Sequence, residues 1–166
     1  MQVLIAYGLV LIAVGMDLRY MRISNRLILI GLGISFVRRL LCEGILGVFT
    51  GIFLISFPVI LLYLLFLAGA LGAGDIKLFS LVGGFVNFKE LIWCIICAFV
   101  FAAVFSLLKM LYHGIFFSSM KNVWFYLMRL YMGDKTAYEP LDMKKNRMHF
   151  SLAILGGLVA AKMIVN

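Results

Sequence analysis

The chain has 166 residues, of which 65% are hydrophobic and only 13% are charged, and its mean hydropathy is +1.14. Soluble domains carry about 45–50% apolar residues, so this composition excludes an ordinary soluble protein and predicts a single membrane-embedded domain over residues 1–166. The net charge of +8 comes from lysines and arginines at the ends of apolar runs. Such a distribution is typical of membrane anchoring, and we expect no nucleic-acid binding.

Six apolar segments predict an all-α fold, a polytopic bundle of six transmembrane helices. In chain order they cover residues 3–16, 27–41, 45–71, 78–86, 91–108 and 150–165. The first is too short to cross a core of about 30 Å at about 1.5 Å per residue, so we expect its helix to continue through Asp17. Segment 78–86 is too short to form a span alone, so we expect its helix to include the polar stretch before it. Arg38 and Arg39 are expected to snorkel from the end of the second segment.

The distribution of basic residues predicts the orientation of the bundle. With the N-terminus outside, eleven of the fifteen lysines and arginines fall on the cytoplasmic side, as the positive-inside rule favours. Asp17 and Asp75 then both face the cytoplasm. Segment 109–148 mixes aromatic and charged residues, so we predict an interfacial helix followed by a cytoplasmic loop at 133–147, and not a seventh span.

Two aspartates lie where a charge is costly, which makes each a functional candidate. Asp17 closes the first span, and Asp75 stands in the sequence GAGDIK at 72–77. The glycines Gly72 and Gly74 break the helix and leave room for a peptide backbone, and Asp75 then begins a helix, where free N–H groups favour a carboxylate. Taken singly, Asp75 could be only a helix cap and Asp17 only a partner for an arginine.

As a pair, the two acids have the chemistry needed to hydrolyse a peptide bond. One carboxylate takes a proton from water and the other, protonated, donates to the carbonyl oxygen. The histidines, His113 and His149, have no serine or cysteine partner in a recognisable nucleophile motif. The Cys94-x-x-Cys97 pair is interpreted as two buried thiols in an apolar helix. We therefore expect no metal and no cofactor.

Three stretches resemble signatures of the type IV prepilin peptidases. Six residues after Asp17 comes ISN at 23–25, where that family has Ile-Pro-Asn. GAGDIK is similar to the family's Gly-x-Gly-Asp motif, which is followed by a hydrophobic residue and lysine. A weaker match is RMHFS at 147–151, where the family often has Arg-hydrophobic-Pro-Phe-Gly. Ser24, His149 and Ser151 depart from these patterns.

The resemblance implies a membrane aspartyl endopeptidase that removes the short leader of type IV prepilin-like precursors at the cytoplasmic face of the inner membrane. Asp17 and Asp75 would be its catalytic pair. The matched motifs add four supporting residues: Gly72, Gly74, Lys77 and Asn25. The family's larger members carry an insertion with two Cys-x-x-Cys pairs between early spans, which this chain lacks. It therefore resembles the short, peptidase-only form of tight-adherence pili, with a membrane-anchored prepilin-like protein and the lipid bilayer as partners.

Other functions remain open from the residues alone. A small ion-coupled carrier would use carboxylates and broken helices to bind ions, but usually near the middle of the bilayer. A presenilin-like protease shares Gly-x-Gly-Asp but would place its first aspartate deeper in a longer span. A non-catalytic pilus-assembly subunit could keep the same fold, and replacing either aspartate would distinguish it from an enzyme.

Overall fold

A computed structural model describes residues 2–112 and 150–165 of the chain. All regular structure in this part is helical: α1 Gln2–Tyr20, α2 Asn25–Leu67, α3 Ala73–Phe85, α4 Phe88–Tyr112 and α5 Phe150–Val165. The chain divides into two compact units, Met1–Phe101 with His149–Asn166, and Ala102–Met148. Of the second unit, the structure describes only the end of α4, residues 102–112. The predicted interfacial helix and cytoplasmic loop lie outside the described residues.

Glycines with positive φ lie where helix α2 is interrupted and just after it ends. The second and third segments form α2, which is interrupted by the non-helical residue Gly44, with φ +67° and ψ −159°. Helix α2 ends at Leu67, four residues before the end predicted from hydropathy, and Gly69 follows with φ +70°. A glycine takes this left-handed conformation at little cost and so ends the helix. Helix α1 runs through Asp17, as expected.

Within residues 2–112 and 150–165, two helices, Asn25–Leu67 and Phe88–Lys109, are long and apolar enough to cross a membrane, and the apolar helix Phe150–Val165 is shorter. The prediction of an all-α fold is confirmed for the described residues. Many large apolar side chains point outward, among them Leu41, Leu46, Ile60 and Leu64, each at least 75% exposed. Water-facing surfaces rarely carry such extensive apolar patches, whereas lipid can cover them.

Helix α3 lies in the interior and packs against α1, α2 and α5. From Ile76 to Phe85 every residue except Lys77 is buried. A helix that is apolar all round is stable where protein or lipid keeps it from water, and here neighbouring helices enclose it. The position of α3 in the bundle therefore decides where its two ends, and Asp75 in its first turn, can lie.

Arg39 holds the C-terminal end of α3 against α2. Its Nε donates to the Gly84 carbonyl at 2.9 Å and one terminal nitrogen donates to the Val86 carbonyl at 3.1 Å, while Ser35 Oγ donates to Gly84 at 2.7 Å. The expectation that this arginine snorkels is wrong, since the residue is only 4% exposed. The last carbonyls of a helix lack partners within it, and a buried cation at that end satisfies them.

The close approach of α4 and α5 depends on Gly157. A Cβ at this position would lie 2.6 Å from the Cys94 carbonyl oxygen and 2.8 Å from the Ala98 nitrogen. Because both are backbone atoms, Gly157→Ala should force the helices apart and lower the free energy of unfolding by about 1–3 kcal/mol. The measurement is thermal unfolding of the purified protein in detergent.

Gly8→Ala is the matched control for this substitution. Gly8 is also helical, and a Cβ there would meet no described atom within 4 Å. The control should keep or slightly raise the unfolding temperature, because alanine is the better helix former by about 1 kcal/mol. Equal unfolding temperatures for the two variants would contradict the packing described for α4 and α5.

Candidate functional site

Asp17 lies in the last turn of α1, where α1 packs against the start of α5. The Ser151 hydroxyl, in the first turn of α5, donates a hydrogen bond of 2.6 Å to Asp17 Oδ2. Ser151 is fully buried, and Asp17 is partly buried. This bond thus links helices α1 and α5 through two residues that are 134 positions apart in sequence.

Asp75 lies in the first turn of α3, ahead of the apolar segment 78–86. Its Oδ2 accepts a hydrogen bond from the Gly72 N–H at 3.3 Å. A Cβ at Gly72 would come 3.0 Å from that same oxygen, so the glycine lets the carboxylate fold back over the start of its own helix. A negative charge at a helix N-terminus is favoured by the dipole and by the free N–H groups.

Burial raises the pKa of Asp75 from 3.8 to about 6. The Gly72 N–H opposes this shift by stabilising the carboxylate, and the charge of Asp17 adds to it. The two acids are therefore near enough to act on each other, and a like charge disfavours ionisation of its neighbour. An acid whose pKa is raised beside a second carboxylate is what a pair that divides acid and base roles requires.

Two of the predicted supporting residues contact each other. Lys77 Nζ donates to Asn25 Oδ1 at 2.9 Å, although the residues are 52 positions apart. This bond joins the first turn of α3 to the first residue of α2. Both residues are exposed, and an ammonium has three donors, so Lys77 also has donors to offer to another molecule.

Gly74, the fourth predicted supporting residue, faces the link between α1 and α2. A Cβ on Gly74 would lie 3.6 Å from Ile23 Cδ1, which is ordinary van der Waals contact. The surroundings in the described structure therefore leave space for a side chain at this position. This differs from Gly72, where an added Cβ would press on the Asp75 carboxylate.

These contacts bring four helix ends to one end of the bundle: the C-terminus of α1 and the N-termini of α2, α3 and α5. Ser151 joins α5 to Asp17 of α1, and Lys77 joins α3 to α2. The charge of Asp17 acts on Asp75, which places the end of α1 near the start of α3. The raised pKa of Asp75 lets this acid carry a proton nearer to neutral pH than an ordinary aspartate does. An acid of this kind can donate a proton in general acid catalysis.

The sequence did not predict a functional role for Ser151. Its only signal was a polar residue at the start of an apolar helix, in a stretch where glycine is usual in the resembled motif. The His149 of that stretch, and His113, lie outside the described residues. Of the two cysteines interpreted as buried thiols, Cys94 is buried and Cys97 is half-buried.

Comparison with known proteins adds a family assignment to this geometry. A sequence model of the type IV leader peptidase family matches residues 4–107. This region contains Asp17, Asn25, Asp75 and Lys77 and ends before α5. No curated protein and no solved structure matches the chain. Because the match covers more than half of the sequence, the chain belongs to the type IV leader peptidase family.

Proposed function

We propose that this protein is an aspartyl peptidase that removes the leader of prepilin-like precursors, with Asp17 and Asp75 as its catalytic pair. The family assignment supports peptidase activity on such leaders. The observation that carries the aspartyl mechanism is the presence of two acids from different helices at one end of the bundle, close enough for the charge of Asp17 to raise the pKa of Asp75. No other pair of acids within residues 2–112 and 150–165 has this arrangement, since Glu43 and Glu90 are paired with basic residues.

The reaction needs one ionised and one protonated acid. The carboxylate removes a proton from water as the water oxygen attacks the peptide carbonyl carbon, and the protonated acid gives its proton to the carbonyl oxygen. When the tetrahedral intermediate collapses, the C–N bond breaks and the leaving nitrogen takes the proton from the first acid. The second acid recovers its proton from the hydroxyl that becomes the new carboxyl group. The raised pKa of Asp75 suits it to be the protonated member.

We propose six membrane spans with this site at the cytoplasmic face. Helix α2 is long enough to supply two spans, one on each side of the break at Gly44. Helix α3 has 13 residues and so measures about 20 Å, against a hydrocarbon core of about 30 Å. It cannot cross alone, which leaves one of its ends below a membrane surface. Arg19, Arg22 and Arg26 lie close in sequence to Asp17 and support a cytoplasmic position for the site.

The substrate we propose is a membrane-anchored precursor whose short basic leader ends at a glycine-hydrophobic junction. Its apolar stretch would lie along the outward apolar faces of the bundle, in lipid, and would bring the junction to the end where Asp17 and Asp75 meet. The exposed Lys77 and Asn25 lie beside this end and are placed to bind the polar backbone of the precursor. Anchoring in the same bilayer raises the local concentration of the precursor at the site.

Asp17→Asn and Asp75→Asn should each abolish leader removal while the protein still inserts in the membrane. The amide keeps the shape of the side chain but can act neither as base nor as proton donor in the reaction. The assay is co-expression with prepilins from the same genome, followed by the mobility shift of the cleaved precursor.

Glu43→Gln is the matched control, because it also replaces a carboxylate by an amide. Glu43 pairs with Arg39 and does not belong to the proposed catalytic pair. It should retain cleavage. Lys77→Ala should weaken cleavage by much less than either aspartate change, since its Nζ contacts Asn25 and not Asp75. Substantial cleavage by either aspartate variant would defeat the assignment of the pair.

The stability of the protein should depend on the protonation of Asp75. Because burial raises its pKa in the folded state from 3.8 to about 6, the protonated form favours folding. This contribution is complete below the unfolded value and is lost as the pH rises through about 6. The wild-type unfolding temperature should therefore fall between pH 4 and pH 7 relative to that of Asp75→Asn. Parallel pH curves for the two proteins would show that Asp75 is not buried as described.

A further inference from the structure

The Ser151 hydroxyl has no place in the activity proposed so far, yet it donates a hydrogen bond to a catalytic candidate. Its oxygen lies 2.6 Å from Asp17 Oδ2. Hydrogen bonds from a hydroxyl to an ionised carboxylate measure about 2.5–2.7 Å, whereas bonds between neutral hydroxyl groups are about 2.7–2.8 Å long. A hydroxyl that donates to a carboxylate favours its ionised form, because a hydrogen bond to a charged oxygen is the stronger one.

The surroundings of Ser151 strengthen this bond. The residue is fully buried, and a hydrogen bond to a charge gains strength where water is excluded. The hydroxyl is in the first turn of α5, so the positive end of that helix dipole also faces the carboxylate. Both effects favour the ionised form of the acid that receives the bond.

Asp75 has the opposite environment. Its bond from the Gly72 N–H is longer, at 3.3 Å, and burial acts against its charge. The pair is thus asymmetric, with a short hydroxyl donor on one acid and a weaker amide donor on the other. Asymmetry of this kind separates the base from the acid in a two-carboxylate site.

We propose that Ser151 is a positioning residue that holds Asp17 ionised, so that Asp17 is the base that removes the proton from water. This proposal rests on the peptidase function proposed above. The serine hydroxyl stays bonded to Oδ2 while the carboxylate accepts the proton from water. Ser151 does not itself react, and the proton that Asp17 receives leaves with the amine product.

The charged groups on the helices around Asp17 bear on any pH measurement. From α3, the pKa of Asp75 is raised in part by the charge of Asp17, whereas Lys77 is bonded to Asn25 of α2. From α5, the ionisable Lys162 lies eleven residues beyond Ser151 and pairs with Glu90 at 2.8 Å. The Asp75→Asn variant shows which part of a pH profile comes from Asp75.

Ser151→Ala tests the proposal in purified protein with a membrane-anchored precursor. Loss of a hydrogen bond to a charged group should reduce kcat about 10- to 100-fold. The acidic limb of the pH–rate profile should move up by about one pH unit, because the ionised base has lost a donor. Ser151→Thr keeps the hydroxyl and should keep the wild-type position of that limb.

Ser80→Ala is the matched control. Ser80 is also a buried serine, 5% exposed, and its Oγ has no hydrogen-bond partner among the described residues. This variant should retain both the rate and the pH profile of the wild type. Rates are taken per folded molecule, so that a general loss of stability does not imitate the predicted effect. If Ser151→Ala does not fold, Ser151→Cys keeps a side chain of similar size but has only a weak S–H donor, and it carries the same expectation.

The proposal would be overturned if the variant without the hydroxyl matched Ser80→Ala in both rate and pH profile. Ser151 would then serve only to pack α5 against α1. That result would leave the peptidase function intact, because the wild type would still cleave. Failure of the wild type itself to cleave any anchored precursor would instead remove the proposed function, and the role of Ser151 with it.

Discussion

The bundle depends on polar partners for both ends of the short buried helix α3. Its 13 residues span about 20 Å, so its unsatisfied backbone groups cannot both reach water at the two surfaces of a membrane. At the C-terminus the Arg39 guanidinium and the Ser35 hydroxyl take up the carbonyls of Gly84 and Val86. At the N-terminus the Asp75 carboxylate accepts from the Gly72 N–H. An unpartnered backbone group in lipid costs several kcal/mol, so these contacts decide whether α3 can occupy the centre of the bundle.

The same constraint links stability to the proposed chemistry. The N-terminal cap of α3 favours a charged Asp75, while burial and the nearby Asp17 disfavour that charge. The balance leaves an acid whose pKa is close enough to neutral to gain and lose a proton during a reaction. Asp17 has a different setting, at the end of α1 and bonded to Ser151. Two carboxylates with unlike neighbours can therefore divide the roles of acid and base. In an ion-coupled carrier we would expect such acids nearer the middle of the spans.

Hydropathy was enough to predict most helices, because a run of apolar residues is a local property of the chain. The break between the second and third segments appears at Gly44, and α5 has the predicted bounds. Contacts between distant residues have no such signal. Arg39 near the end of an apolar segment suggested snorkelling, but its partners at Gly84 and Val86 follow only from the packing of α2 against α3. Ser151 bonds to a residue 134 positions away, a pairing that no periodicity in the sequence encodes.

The most direct test of the account is a single turnover in water enriched in ¹⁸O. The purified protein in lipid vesicles is mixed with less than one equivalent of anchored precursor, with no other protein added. The released leader and the enzyme are then analysed by mass spectrometry. If Asp17 and Asp75 activate water directly, the leader is released with one ¹⁸O in its new terminal carboxylate and both aspartates stay unlabelled. Absence of the cleaved leader, or ¹⁸O in either aspartate after one turnover, would contradict the account.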